Sequence, residues 1–82
     1  MIRLAIRGYA AGVLQFENRL ERNERELGLL LPTLAEEHAN AMAAGRLSMI
    51  EIEFLDEPDP LTRYFRIGTD PSGMVIPIQV QL

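Results

Sequence analysis

The sequence contains no cysteine and no lysine, and it has a single histidine, His38. Without cysteine the chain can form neither disulfides nor thiolate metal sites, a composition that suits a reducing compartment. Since lysine is absent, all eight cations are arginines. A catalytic triad would require Ser48 or Ser72, both distant in sequence, to meet His38 in space. We therefore predict no catalytic residue, no metal site and no cofactor.

Long apolar runs are also missing. The neutral stretch between Arg7 and Glu17 is nine residues long, which is short of the roughly 20 residues that a membrane helix requires. No convincing small-residue cleavage site of a secretory signal follows it, and no phosphate-binding glycine pattern occurs. We expect a soluble cytoplasmic protein with no membrane partner.

Positive charge is scarce in the second half of the chain. Residues 1–47 carry six arginines and six acids, whereas residues 48–82 carry two arginines and six acids, which gives the net charge of −4. Nucleic-acid-binding proteins need a basic stripe that displaces counterions from phosphates. The composition therefore predicts that nucleic acid is not a partner.

Apolar residues recur in alternating steps of three and four along the first half of the chain, which is typical of an amphipathic helix. A polar residue within such a stripe would fix the register of a helical seam at some cost in stability, so Asn23→Leu is expected to stabilise the protein. We predict that this stripe is the interface of a homodimer or higher oligomer. Its residues are Val13, Phe16, Leu20, Asn23, Leu27, Leu30 and Leu34.

Gly28 and Pro32 interrupt this helical pattern. Proline clashes with the carbonyl four residues before it, which here belongs to Gly28. Glycine is common just after a helix end and proline in the first turn of the next helix. We favour a break into helices 12–29 and 32–44, with Gly28 left-handed and Gly45 ending the second helix. One long kinked helix is the alternative.

The second half of the chain alternates between apolar and polar residues in "MIEIEFL", "TRYFRIG" and "MVIPIQVQL". The connectors "DEPDP" (56–60) and "TDPSG" (69–73) have the composition of turns. This pattern predicts a three-stranded antiparallel meander over residues 48–82, packed on the helices by one face. Pro77 cannot donate to a ladder, so the last strand should lie at an edge. On the outer face we expect Glu51 opposite Arg66 and Arg66 opposite Val75, with Glu53, Tyr64 and Pro77 in the neighbouring row.

Residues 1–8 fit two structures. Ile2, Leu4 and Ile6 alternate as in a strand, whereas Ile2, Ile6 and Tyr9 extend the helical stripe backwards. The predicted fold is a single α+β domain over residues 1–82, with a helical part at about 9–45. A helical hairpin or kinked long helix packs on one face of the meander. An N-terminal strand, if present, would give the order β-α-α-β-β-β.

Few side chains are candidates for a functional site. His38 lies beside the apolar stripe and is predicted to be a packed structural residue, while Glu36 lies on a solvated helix face. The acidic loop containing Asp56, Glu57 and Asp59 is predicted to be a solvated turn. Tyr64 and Arg66 on the outer sheet face, together with His38, are the remaining weak candidates.

The sequence thus favours a small, bacterial-looking, non-enzymatic module that self-associates or binds a protein partner. The predicted element order resembles that of small bacterial mRNA-cleaving toxins. That resemblance implies action on a nucleic acid, but such toxins are typically basic and this chain is acidic. The second hypothesis is an enzyme or nucleic-acid-acting factor that uses His38, Arg63 and Arg66. A small-ligand binder with a pocket between helix and sheet is the third hypothesis.

Overall fold

The computed structural model describes residues 1–56 and 61–81, and these residues form one antiparallel sheet with one helix across it. Its elements are β1 (Ile2–Ala10), β2 (Val13–Arg22), α1 (Glu24–Ala43), β3 (Met49–Phe54), β4 (Leu61–Thr69) and β5 (Val75–Val80). The strand order is β2-β1-β3-β4-β5, and all neighbours are antiparallel. The predicted turn at 56–60 and the acidic loop lie, beyond Asp56, outside the described residues.

The predicted helical hairpin on a three-stranded meander is wrong, because residues 13–22 form a strand. A two-residue turn at Ala11 (φ 51°) and Gly12 (φ 81°) folds β2 back onto β1. Positive φ at both central positions matches the twist of a hairpin. The helical interpretation failed because a spacing of four, such as Phe16 to Leu20, shares one face in a helix and in a strand.

α1 begins at Glu24, and Asn23 is its N-cap. The Asn23 side chain accepts a hydrogen bond from the Glu26 backbone N–H at 2.8 Å, and the Glu26 carboxylate accepts one from the Asn23 N–H at 3.0 Å. This capping box satisfies two backbone donors that a helix start leaves unpaired. Asn23 is therefore a cap and not a seam residue. Replacing it with Leu removes the cap, so the stabilisation expected from the seam model no longer has a basis.

Pro32 lies inside this helix, so the predicted break is wrong. Gly28 is not among the described glycines with positive φ, which are Gly12, Gly45 and Gly73. Because Pro32 is exposed, the Gly28 carbonyl that loses its usual donor lies near the solvent side of the helix. Gly45, just past the helix end, has φ 74° and does follow the predicted stop.

The core lies between α1 and one face of the sheet, which we call the helix face. Leu34 of α1 packs against the central strands, and partly buried apolar side chains surround them. Burial of apolar area on this face is the main favourable term for folding. The buried cluster consists of Leu4, Ile6, Leu34, Ile50, Ile52 and Phe65.

The faces of β5 are reversed relative to the prediction. Thr69 pairs with Val75 and Ile67 with Pro77, so Val75, Pro77 and Gln79 share the helix face. The turn at Asp70 sets this register, because the Asp70 N–H donates to the Met74 carbonyl at 3.0 Å. The apolar row of the strand, Ile76, Ile78 and Val80, therefore lies on the opposite face, which we call the open face.

Gly28→Ala should raise the free energy of unfolding by about 1 kcal/mol, the usual helix-propensity difference. A methyl group at Gly28 would meet no atom within 4 Å, and the helical backbone suits alanine. Gly12→Ala is the matched control: it also meets no atom within 4 Å, but its φ of 81° strains alanine. Thermal melts should give opposite signs for the two variants, and a destabilised Gly28→Ala protein would contradict the continuous helix.

Candidate interaction surface

An ion cluster occupies the centre of the open face. The register places Arg7 of β1 opposite Glu17 of β2 and Glu51 of β3. Its guanidinium lies 2.7 Å from a carboxylate oxygen of Glu17, of Glu51 and of Glu53. The Arg7 side chain is 16% exposed, so these contacts are partly shielded from water. We call these four residues the Arg7 cluster.

The electrostatics of the Arg7 cluster follow from its hydrogen bonds. The bond to Glu17, followed by those to Glu53 and Glu51, raises the pKa of Arg7. Hydrogen bonding to Arg7, and secondarily to Arg19, lowers the pKa of the Glu17 carboxyl. Three carboxylates around one guanidinium give the centre of this face a formal surplus of two negative charges.

Two tyrosines border the Arg7 cluster. The Tyr9 hydroxyl donates to a Glu51 carboxylate oxygen at 3.3 Å. Burial first, and the nearby Glu51 carboxylate second, raise the pKa of both Tyr9 and Tyr64. Ala5 is fully buried although it lies on the open face, because the long side chains of this layer cover it. The centre of the open face is thus a fixed polar layer.

Apolar side chains flank this layer. The register continues from Tyr9 to Leu14 on one side and to Met49 on the other, and the row Ile76, Ile78 and Val80 follows along β5. Leu14 is exposed, while the row on β5 is half-buried. No described element covers this face, since α1 packs on the other one.

The sheet has two free edges, and they differ in their backbone groups. The Arg3 carbonyl accepts from the Leu55 N–H at 3.0 Å, so the odd residues of β1 face β3. The even residues of β1 therefore face β2 and pair with Phe16, Asn18 and Leu20. The N–H and C=O groups of the intervening β2 residues point away from the sheet. Those residues are Glu17, Arg19 and Glu21.

The outer edge of β5 lacks one donor. Counting from the Asp70–Met74 hydrogen bond, Ile76, Ile78 and Val80 face β4 with their backbone groups, while Val75, Pro77 and Gln79 face outward. Proline has no N–H, so the middle of this edge cannot donate. The predicted edge position of the last strand and the outward nitrogen of Pro77 agree with this register.

The residues of the predicted interface do not form one helical stripe. Phe16 and Leu20 lie on β2 and Leu27, Leu30 and Leu34 on α1, and all five pack in this chain's own core. Val13 is exposed near the β1–β2 turn, and Asn23 is the helix cap. Whether any of them contacts a second chain stays a prediction.

The weak candidates are divided between the two faces. His38 stacks on the Phe16 ring on the helix side, with ring centroids 5.1 Å apart and planes at 16°. Tyr64 and Arg66 lie on the open face, opposite Val80 and Ile78. The predicted partners of Arg66, Glu51 and Val75, are wrong, because Glu51 pairs with Tyr64 and Val75 with Thr69. The structure thus separates His38 from Tyr64 and Arg66.

Neither serine meets His38 within residues 1–56 and 61–81. Ser48 donates to the Tyr9 carbonyl, and Ser72 donates to the Asp70 carboxylate, so neither serine is bonded to His38. No group of three metal-binding side chains occurs among residues 1–56 and 61–81. In the same part of the chain, no helix combines the length and apolarity needed to cross a membrane.

Sequence reasoning missed the Arg7 cluster. The signal for it was present, because segments that fit strands carry one cation, Arg7, and three anions. The anions are Glu17, Glu51 and Glu53. Recognising it required β1 and β2 to be identified as neighbouring strands, and the helical interpretation of residues 13–22 removed one of them.

Arg7→Met should lower the unfolding free energy at pH 7, because three carboxylates then face one another without a cation. The folded-state pKa of Glu17 lies below its ordinary value. Its contribution to wild-type stability is therefore present above about pH 4.3, the unfolded pKa, and is lost as the pH falls through the folded pKa. Denaturant unfolding should show that the difference in unfolding free energy between wild type and variant is smaller at pH 3 than at pH 7.

Arg66→Met is the matched control for this prediction, since Arg66 is exposed on the same face. It should leave both the stability and its pH dependence nearly unchanged. An Arg7→Met deficit that is equal at both pH values would mean that packing, and not charge, accounts for the contribution of Arg7.

Comparison with protein-family models gave no match for this chain. Comparisons with curated proteins and with solved structures gave no significant match either.

Proposed function

We propose that this protein is a non-enzymatic interaction domain that acts as a homodimer. The observation that carries the proposal is the free edge of β2. This strand is ten residues long, contains neither proline nor glycine, and is hydrogen-bonded on one side only. An unpaired row of backbone donors and acceptors is a template for another strand.

The difference between the two edges supports this proposal. Natural sheets protect exposed edges with proline, bulges, charges or a covering element. The β5 edge has Pro77 at its centre. The β2 edge has a register shift opposite Gly8 and Tyr9, but beyond that shift it keeps every outward N–H. The charges of Glu17, Arg19 and Glu21 alternate in sign, so they suit a second strand of the same sequence.

The size of the core also supports self-association. In the described residues, nine hydrophobic side chains are buried, and a chain of this length buries only about 60–65% of its unfolded surface. Small domains commonly gain stability by oligomerisation. A second copy would bury further apolar surface around Phe16 and Leu20, which are partly buried in the isolated chain.

The other functional hypotheses have less support. Two grooves lie between α1 and the sheet, one of about 190 Å³ beside Leu30 and Arg63 and one of about 390 Å³ beside Met42 and Ile67. The second has the volume of a ligand pocket, about 300–1,000 Å³, but both linings are mostly apolar and bring few polar groups together to orient a ligand. The surplus negative charge of the Arg7 cluster does not favour a nucleic-acid-binding open face.

The open face favours a second role, the binding of another protein. Tyr9, Met49 and Ile78 place aromatic and apolar groups around the fixed Arg7 cluster. Aromatic residues and methionine are enriched in protein interfaces, where an apolar core meets a polar surround. Homodimerisation through β2 would leave this face accessible.

Light scattering after gel filtration tests the proposed function. At high micromolar concentration we expect twice the chain mass of 9.3 kDa, with the mass falling on dilution. Gln79→Arg, which adds a charge at the outer edge of β5, should leave the dimer mass unchanged. A monomer mass for the wild type at high micromolar concentration would refute the proposal.

A further inference from the structure

We infer that two copies pair β2 against β2, antiparallel, about a two-fold axis that passes through Asn18. The five strands of each copy would then form one continuous ten-stranded sheet. Both α1 helices would lie on one side and both open faces on the other. This inference rests on the proposed homodimer and specifies its surface and register.

The backbone of β2 permits this arrangement. A two-fold axis through Asn18 places Glu17 opposite Arg19 of the second copy, and Arg19 opposite Glu17. Both residues direct their N–H and C=O groups outward, so each such pair exchanges two hydrogen bonds. Asn18 of one copy then lies opposite Asn18 of the second copy in a non-hydrogen-bonded pair, where side chains approach most closely.

The side chains of β2 are self-complementary in this register. On the open side, Glu17 meets Arg19 of the second copy twice, and opposite charges across strands are stabilising. On the helix side, Phe16 meets Leu20 of the second copy twice, which joins two apolar groups. At the axis, the two Asn18 side chains each offer an amide donor and a carbonyl acceptor to the other.

Neighbouring registers are less favourable. An axis through Glu17 places the two Glu17 carboxylates opposite each other, and an axis through Arg19 pairs the two Arg19 side chains and sets Glu17 against Glu21. Like charges directly opposite are destabilising. An axis through Leu20 pairs Arg19 with Glu21 over residues 18–22, because α1 begins at Glu24, but on the helix side it sets Asn18 against Arg22 and joins one apolar pair, Leu20 with Leu20. The Asn18 register is regular over residues 16–20, since the register shift leaves Gln15 as an extra residue of β2, and it joins two Phe16–Leu20 pairs.

The packing on the helix side agrees with the same axis. His38 stacks on Phe16, and the Phe16 ring lies directly over Gly8, where a methyl group would come within 2.2 Å of it. The Phe16 ring therefore leans inward over β1, and its outer side is where Leu20 of the second copy would make contact. The predicted interface residues Phe16 and Leu20 would thus contact the second copy from a strand.

Single-cysteine cross-linking tests the register, because the chain has no cysteine of its own. In an antiparallel non-hydrogen-bonded pair the Cα atoms are about 4.5 Å apart, within the roughly 4.4–6.8 Å range of disulfides. Asn18→Cys should therefore form a disulfide-linked dimer rapidly and nearly completely under mild oxidation. Leu20→Cys reports the competing register, and Gln79→Cys reports the β5 edge.

The outcomes separate the inference from the proposed function. Fast cross-linking of Asn18→Cys, with slow cross-linking of Leu20→Cys and Gln79→Cys, supports the inferred interface. A dimer by light scattering in which Leu20→Cys or Gln79→Cys cross-links faster than Asn18→Cys overturns the register or the edge and leaves the homodimer intact. A monomeric wild type overturns both.

A charge reversal tests the same pairs without a covalent link. Arg19→Glu places two carboxylates opposite each other on both sides of the axis and should weaken dimerisation by at least about tenfold. The Arg19 side chain is 67% exposed and has one described ion pair, at 3.4 Å to Glu17, so the fold should be retained. Arg25→Glu, with the same charge change on exposed helix surface, should leave dimerisation unchanged, and equal weakening by both variants would contradict the inference.

Discussion

The pairing of β1 on both sides is the constraint on which the rest of the structure depends. β3 occupies one side of β1 and β2 the other, and β4 and β5 add beyond β3. This order places Leu4 and Ile6 beneath α1 and brings Arg7 between Glu17 and Glu51. It also leaves β2 at the edge. The core, the Arg7 cluster and the free edge are therefore three consequences of one strand order.

The two faces of the sheet carry different kinds of side chain. The helix face buries the apolar side chains of the central strands, and His38 packs there against Phe16. The open face fixes a polar layer around Arg7, which sets the register of three strands through charge as well as through backbone bonds. A partly shielded ion cluster of this kind favours one alignment of strands over its neighbours, since a shift by one residue moves each charge to the other face.

Several features could be predicted from the sequence, and the reasons for the failures are physical. Strict alternation in "MIEIEFL" is compatible only with a strand, whereas Phe16 and Leu20, four residues apart, share one face in a helix and in a strand. Pro32 suggested a helix break, yet an exposed proline in a capped 20-residue helix costs too little to divide it. Both faces of β5 carry apolar residues, so the hydrophobic pattern does not decide which face packs against α1. The turn at Asp70 decides it. The Arg7 cluster joins three strands and depends on long-range pairing, which local patterns do not contain.

Amide hydrogen exchange along β2, resolved by NMR, tests the central claim that its outer edge is paired. In an isolated chain the amides of Glu17, Arg19 and Glu21 point to solvent and exchange quickly. At high micromolar concentration the account predicts that they are protected and that dilution removes the protection. The outward amides of Val75 and Gln79 on β5 should stay fast throughout. Exchange of the three β2 amides as fast as that of the β5 amides, at a concentration where light scattering gives a dimer, would contradict the account.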